Sequence, residues 1–162
     1  MDSDVRGSIL SQAPDAGKIV SEEMLDRFDA KVWTLSNGIK VYLRHSSVKP
    51  NDIRISATSP GGYSQNYTPE RAASLKVLND VIGAGAWGGY KKDELQKLLV
   101  GTKVSVIPFV ELTEEGLNAS ATPDDLAVAM QLIHLKMTAI SRDDEAFDNL
   151  IASKRNSIEN QS

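Results

Sequence analysis

The side chains that most often carry out catalysis or hold metals are few in this sequence and lie far apart. Its 162 residues include no cysteine and two histidines, His45 and His134. Without cysteine the chain can form no disulfide, iron–sulfur cluster, thiolate zinc site or cysteine nucleophile. Neither histidine has a histidine or glutamate three or four residues away, the spacing that places two metal ligands on one helix face. We therefore expect no catalytic residue and no metal ligand here, with His45 solvated and His134 an ordinary helical residue.

Carboxylates that could serve as a general acid and base occur in three clusters, and these have a simpler interpretation. The clusters are Glu114-Glu115, Asp124-Asp125 and Asp143-Asp144-Glu145. The last two lie at the starts of predicted helices, where acidic side chains stabilise the positive end of the helix dipole. No serine lies in a Gly-x-Ser-x-Gly motif, the turn that presents the nucleophile of α/β-hydrolases. The sequence therefore contains no recognisable catalytic constellation.

A glycine-rich segment is the most suggestive local feature. Gly83, Gly85 and Gly88 have the literal spacing Gly-x-Gly-x-x-Gly, and Gly89 follows directly. A dinucleotide-binding loop must follow a strand and open a helix, whereas these glycines follow a predicted helix. We interpret the segment as a connector between two helices. A loop of this composition could also contact a peptide backbone, and so Gly83, Gly85, Gly88 and Gly89 are the candidate substrate-binding residues.

The composition is that of an ordinary globular domain. Hydrophobic residues make up 41% and charged residues 25%, with a net charge of −4. This charge gives no positive field for nucleic acid, and the single Lys91-Lys92 pair does not change that. No apolar stretch reaches the roughly 18–20 residues that cross a bilayer, and no signal-peptide pattern occurs at the N-terminus. We expect neither nucleic-acid binding nor membrane insertion, and we interpret Trp33 and Trp87 as packing residues.

The first part of the chain is predicted to be a linker followed by three strands. Residues 1–30 are predicted to be a linker, with a short helix starting at Ser21. A β-prone run at 32–35 leads into Asn37-Gly38, a pair that tolerates positive φ and favours a hairpin. Alternation of apolar and polar residues predicts the next two strands at 39–45 and 53–58.

Helices and two further strands follow. Thr68-Pro69-Glu70 supplies an N-cap and a first-turn proline for a helix over 68–82, and a second, short helix is predicted over 93–99. Strands are predicted at 103–110 and 116–121, and Pro108 indicates an edge or a bulge in the first of them.

Two helices end the predicted order. The first, over 123–140, has a predicted apolar face of Leu126, Met130, Ile133, Met137 and Ile140. The second, over 144–158, is capped by Ser141 and Asp144. The order βββααββαα predicts an α+β fold in which an antiparallel or mixed sheet packs helices on one face.

The segment from Trp33 to Val41, WTLSNGIKV, resembles the opening of the repeated domains in the pitrilysin-type zinc peptidases. That family includes insulysin and mitochondrial processing peptidase, and its domains open with an aromatic residue followed by Leu-(Ser/Glu/Asp)-Asn-Gly-(Leu/Ile)-x-Val. Further similar segments follow in the same order, at residues 53–58, 59–62, 93–101, 104–106 and 116–120. The resemblance covers about residues 31–160.

The sequence departs from the family pattern at the zinc-binding motif. In that family, His-x-x-Glu-His on the first long helix, together with a more distant glutamate, provides the zinc ligands and the base. Here the equivalent helix, 68–82, contains no histidine and a single glutamate, Glu70. No zinc ligand can therefore be carried over.

Within the family this departure matches the half of the enzyme that lacks zinc. Two homologous halves enclose a chamber, one holding zinc and the other helping to enclose the peptide. The resemblance implies that 31–160 is a partial, non-catalytic peptidase domain, that 1–30 is the tail of the connection between halves, and that zinc lies in the other half of a larger bacterial protease. The implied partners are the remaining domains of that polypeptide and its peptide substrate, and the implied location is the periplasm or cell envelope.

Three functions are compatible with the sequence. The first is a non-catalytic, substrate-enclosing domain of a working zinc endopeptidase. The second is a scaffold or protein-interaction domain of an inactive family member, which an upstream His-x-x-Glu-His in the same reading frame would distinguish from the first. The third is a free-standing small-molecule-binding α+β module. For the first, we expect an exposed apolar patch and self-association of the chain on its own.

Overall fold

The computed structural model describes residues 8–160, which divide into two units. One unit consists of Ser11–Asn51, and the other consists of residues 52–160 together with residues 8–10. In chain order the strands and helices are β1 (Ile19–Leu25), β2 (Ala30–Leu35), β3 (Lys40–Arg44), β4 (Ile53–Pro60), α1 (Ala72–Leu75), α2 (Leu78–Ala84), β5 (Ala86–Trp87), α3 (Lys92–Leu98), β6 (Ser105–Val110), β7 (Glu114–Ala121), α4 (Leu126–Thr138), β8 (Ile140–Ser141) and α5 (Asp144–Glu159). The α+β class predicted from the sequence is confirmed.

The smaller unit is an antiparallel sheet in the order β1-β2-β3. Between β2 and β3, Gly38 has φ 85, and its N–H donates to the Leu35 carbonyl at 2.9 Å. The Leu35 N–H in turn donates to the Ile39 carbonyl at 2.8 Å. The hairpin predicted from Asn37-Gly38 is therefore confirmed.

Strand β1 corrects the expectation of a short helix starting at Ser21. Glu22 lies opposite Trp33 on β2, and its carboxylate accepts from Trp33 Nε1 at 2.6 Å and pairs with Lys31 Nζ at 2.9 Å. The Lys31 and Trp33 hydrogen bonds lower the pKa of Glu22. These partners come from the neighbouring strand and outweigh the local capping signal. The assignment of 1–30 as the end of a connection between two halves stays a prediction.

The larger unit contains an antiparallel sheet in the order β4-β7-β6. Along the central strand β7, Leu117, Ala119 and Ala121 are buried, whereas Asn118 between them is exposed. On the exposed side, Ser56 Oγ donates to Asn118 Oδ1 at 3.0 Å. The buried side packs against α4, so the prediction of helices on one face of the sheet is confirmed.

The core of this unit lies between that sheet and α4. Its buried residues are Ile9, Trp87, Leu95, Val106, Leu117, Ala119, Leu132 and Leu135. From α4 itself the buried side chains are Ala129, Leu132 and Leu135, while Met130 and Met137 are more than half exposed. The face predicted from Leu126, Met130, Ile133, Met137 and Ile140 is therefore wrong. Because α4 is apolar around most of its circumference, its sequence alone does not select the side that packs on the sheet.

The expected helix over 68–82 is interrupted. Its first residues form a 3₁₀ turn at Pro69–Arg71, and the remainder is divided into α1 and α2. At the junction the Val77 N–H donates to the Ser74 carbonyl at 3.2 Å, which tightens the chain there. The segment is thus a succession of short helices rather than one long helix.

The cap of α5 also differs from the prediction of Ser141 and Asp144. Asp143 is the N-cap, and its carboxylate accepts from the Ala146 N–H at 3.1 Å. Ser141 instead belongs to β8, which pairs antiparallel with β5. This pairing draws the chain into extended backbone through Ser141, so the helix starts later.

Candidate functional site

The two histidines lie in different units of the structure. His45 is exposed directly after β3, and His134 is half-buried on α4. Between residues 8 and 160, no three histidine, aspartate or glutamate side chains form a group that could hold a metal ion. The positions of the histidines therefore identify no candidate site.

The acidic clusters occupy structural positions. Asp125 is buried, and its Oδ2 accepts from the Lys103 N–H at 2.9 Å and from Thr122 Oγ1 at 2.8 Å. It therefore connects the turn before α4 to the segment before β6. Glu114 and Glu115 begin β7. Asp125 therefore has a structural role at the start of α4, a position where the sequence predicts acidic side chains.

The candidate glycines separate into different environments. Gly83 lies in the last turn of α2 and lines one groove, whereas Gly85 is buried at its end and lines another. Gly88 packs beside Leu135, and its N–H donates to the Ala139 carbonyl at 2.8 Å. Gly89 is exposed. The segment does connect α2 to α3, but it includes strand β5, and the four glycines do not form one site.

A groove of about 460 Å³ lies between α2, α3, α4 and β6. Trp87, Leu95 and Val106, all buried in the core, contribute to its lining, as does Ile82 of α2. Its charged lining residues are Lys92 and Lys136, and no acidic side chain of the described chain lines it. This groove combines an apolar surface with positive charge, and we take it as the candidate binding site.

Lys136 occupies an unusual position for a lysine. Its Nζ donates to the Val106 carbonyl at 2.6 Å and stands 5.4 Å from the centroid of the Trp87 ring. Burial lowers the pKa of Lys136, and the positive charge of Lys92 lowers it further. The ammonium retains donors beyond the one that Val106 accepts. It is thus a partly desolvated cation at the wall of an apolar groove.

One side of the groove is the outer edge of strand β6. Val110 turns both backbone groups away from β7, with its N–H donating to Asn79 Oδ1 at 2.8 Å and its carbonyl accepting from Asn79 Nδ2 at 3.0 Å. Because backbone groups on one side of a strand recur at every second residue, positions 106 and 108 face the same way. The Val106 carbonyl is bonded to Lys136, and Pro108 has no N–H to offer. The edge position predicted from Pro108 is therefore confirmed, and this edge is largely closed to another strand.

A second groove of about 410 Å³ lies between α2 and the start of α5. Its lining includes Val81 and Ile82 from α2 and Phe147 from α5. Arg142 and Asp143 provide charges of both signs at its border. The second groove therefore has mixed charge, whereas the charged residues of the first groove are all positive.

The similarity of this chain to known proteins lies in its fold. No protein-family model and no curated protein matches the sequence. Among solved structures, the chain is similar to the periplasmic protease PqqL from Escherichia coli, with a TM-score of 0.75 and 23% identity over 93% of this chain. It is also similar to the ferredoxin protease FusC, solved as a mutant in complex with Arabidopsis ferredoxin, with a TM-score of 0.75 and 17% identity over 94% of this chain. This chain has a fold found in both proteases.

The matched regions are small parts of those proteins. The chain spans 16% of the length of PqqL and 17% of the length of FusC. No helix within residues 8–160 has the length and apolar character that crossing a membrane requires. The similarity establishes only the fold, because the activity of PqqL or FusC belongs to the whole of that protein.

Sequence reasoning missed two polar residues of the first groove, Asn79 and Lys136. One signal was available for Lys136, because it is the only Asp, Glu, Lys or Arg in α4, LAVAMQLIHLKMT. A single lysine in so apolar a helix indicates a cation near the core. No comparable signal marks Asn79, whose role depends on the distant strand β6.

Proposed function

We propose that this chain is a non-catalytic domain of a larger pitrilysin-type zinc metalloendopeptidase, where it packs against the other domains and helps enclose the peptide substrate. The observation that carries the proposal is the coverage of the fold likeness. It extends over 93–94% of this chain and 16–17% of two proteases. The segment WTLSNGIKV and the similar segments that follow it support the choice of family.

The non-catalytic role is supported by the residues of the first helical region. The segment that would provide the zinc ligands, 68–82, contains no histidine, and its single glutamate, Glu70, lies in the 3₁₀ turn at its start. A His-x-x-Glu-His motif needs both histidines and the glutamate on one helix face, and here the helix is interrupted as well. In the proposal, zinc is held by the other half of the parent protein.

Exposed apolar side chains support a role in packing against other domains. In the larger unit, Val100 is 79% exposed and Ile158 is 69% exposed. Water-exposed aliphatic groups of this size are stabilised when a neighbouring surface covers them. The remaining domains of the same polypeptide are the proposed neighbours.

The proposed setting is the periplasm or cell envelope of a bacterium, and the proposed substrate is a polypeptide. PqqL is a periplasmic protease from Escherichia coli, and FusC is a ferredoxin protease. The candidate glycines Gly83, Gly85, Gly88 and Gly89 lie in separate environments and not in one site, so their contact with that substrate stays a prediction of the sequence.

The proposal is tested on the full reading frame that encodes this chain. We expect that frame to contain His-x-x-Glu-His outside these residues, and its product to bind one zinc and cleave unstructured peptides. This chain alone should do neither. Zinc content by elemental analysis and cleavage of a peptide library measure both properties.

A matched pair of variants in the longer protein sharpens the test. Replacing the motif glutamate with glutamine should abolish cleavage, whereas Glu70→Gln should leave it unchanged. A zinc-free, inactive full-length product would instead favour a scaffold that kept the fold. Stoichiometric zinc in this chain alone would contradict the non-catalytic assignment.

A further inference from the structure

We propose that the groove between α2, α3, α4 and β6 binds a small aliphatic carboxylate, with Lys136 and Lys92 receiving the carboxylate and the apolar walls receiving the chain. The proposal does not depend on the proposed protease function. It rests on the shape of the groove, its charge and the closed edge of β6.

The size and lining of the groove suit a small apolar ligand. Its volume of about 460 Å³ lies within the range of small-molecule sites. Leu95, Leu99 and Phe109 contribute aliphatic and aromatic surface. A Cβ added at Gly83 would meet nothing within 4 Å, so the wall formed by α2 is open at that position.

The charge of the groove selects an anion. Lys136 and Lys92 both line it, and neither forms an ion pair with a carboxylate of residues 8–160. The one acceptor that Lys136 uses is the neutral Val106 carbonyl, at 2.6 Å. A ligand carboxylate would give this partly desolvated ammonium the charged partner that it lacks, in a charge-assisted hydrogen bond.

The polar groups of the groove favour a fatty-acid-like molecule over a peptide. A bound peptide brings backbone N–H and carbonyl groups that need partners away from water. The outward backbone groups of Val110 are both bonded to Asn79, the Val106 carbonyl is bonded to Lys136, and Pro108 has no N–H. A ligand with one anionic end and an otherwise apolar body leaves no such groups unpaired.

Titration of the full chain with decanoate, below its micelle threshold, tests the proposal. NMR shifts should appear at the Trp87 indole N–H and the Gly83 amide, both of which belong to residues that line the groove. Decanol, which has the same chain without the charge, should bind about tenfold more weakly, since an ionic hydrogen bond of this kind contributes about that much. Equal binding of decanol, shifts confined to other regions, or no binding of decanoate would each overturn the proposal.

Variants test separately how the charge and the cavity contribute to ligand binding. Lys136→Met keeps an unbranched apolar side chain, and it should weaken decanoate about tenfold while leaving decanol unchanged. Gly83→Leu should fill the groove and weaken both ligands. Lys97→Gln on α3 is the control and should change neither, because Lys97 is outside the groove and 77% exposed. Unchanged decanoate affinity in both Lys136→Met and Gly83→Leu would overturn the proposal, as would tighter binding of N-acetyl-trileucine than of decanoate.

Discussion

Among single residues, Lys136 has the surroundings that differ most from those of an exposed lysine. Its ammonium is bonded to the Val106 carbonyl and lies over Trp87, and no carboxylate of the described residues forms an ion pair with it. Burial is the larger cause of its lowered pKa, and Lys92 adds repulsion. The charged form of Lys136 is therefore less favourable in the folded chain than in the unfolded chain.

This lowered pKa predicts a pH-dependent effect of Lys136→Met. The unfolded chain binds the proton of Lys136 up to about its ordinary value of 10.5, whereas the folded chain releases it at lower pH. The free energy of unfolding of the wild type should therefore rise relative to that of the variant as pH increases through the window between the two pKa values. Urea denaturation of both proteins at neutral and alkaline pH measures the difference. A difference between the wild type and Lys136→Met that stays constant with pH would contradict the prediction.

Gly88 is predicted to be the least replaceable residue of the glycine-rich segment. It has φ 60, and an added Cβ would lie 2.3 Å from Cδ1 of the buried Leu135. Gly89 has φ 85 but no atom within 4 Å of such a Cβ. Both alanine variants carry the cost of a left-handed backbone, about 1–2 kcal/mol, and Gly88→Ala alone adds an overpacking cost of about 1–3 kcal/mol. Denaturation of both variants should show the larger loss for Gly88→Ala, and equal losses would contradict the assignment.

At the scale of elements, strand β6 forms an edge that is largely closed to another strand, in three different ways. Pro108 removes a donor, Lys136 occupies the Val106 carbonyl, and Asn79 from α2 bonds both backbone groups of Val110. An exposed strand edge is a template for association with other chains. The position of α2 relative to β6 therefore protects the sheet as well as covering the core.

Asn79→Ala should open this edge. Two hydrogen bonds are lost, and since these groups become accessible to water the expected cost is about 1 kcal/mol in the free energy of unfolding. Asn156→Ala on α5 is the matched control, because it makes the same change of helix propensity at an exposed position. Chemical denaturation compares the two. A loss no larger than that of Asn156→Ala would show that the Asn79 bonds contribute nothing to stability.

At the scale of the whole molecule, apolar side chains remain exposed in both units. In the smaller unit Val48 is 91% exposed, and in the larger unit Val100 and Ile158 are 79% and 69% exposed. The expectation of a continuous apolar patch that other domains cover stays a prediction.

We predict that the isolated chain self-associates as its concentration rises. The net charge of −4 opposes association weakly, and added salt screens it. Sedimentation velocity should show the average mass increasing with concentration, and more strongly in a salting-out buffer such as sulfate, which strengthens apolar contacts. A strictly monomeric chain at its solubility limit in both buffers would contradict the prediction and weaken the assignment as one domain of a larger enzyme.

The sequence by itself determined the features that depend on neighbouring residues. The Asn37-Gly38 hairpin follows from backbone dihedral preferences, and the edge position of β6 follows from the missing N–H of Pro108. Periodicity located most of the later strands and helices but not β5, β8 or the break between α1 and α2, and the order of elements predicted the α+β class. The missing His-x-x-Glu-His is likewise a property of the sequence alone.

Only the tertiary structure decided the features that depend on distant partners. Residues 19–25 form a strand because β2 supplies Lys31 and Trp33 as partners for Glu22. The packed face of α4 was decided by contact with β6 and β7, since an almost uniformly apolar helix has no strong preference of its own. The groove, with Lys136 at its wall, arises where three helices and an edge strand meet. Such a site depends on distances between segments remote in sequence, and a local pattern contains no information about those distances.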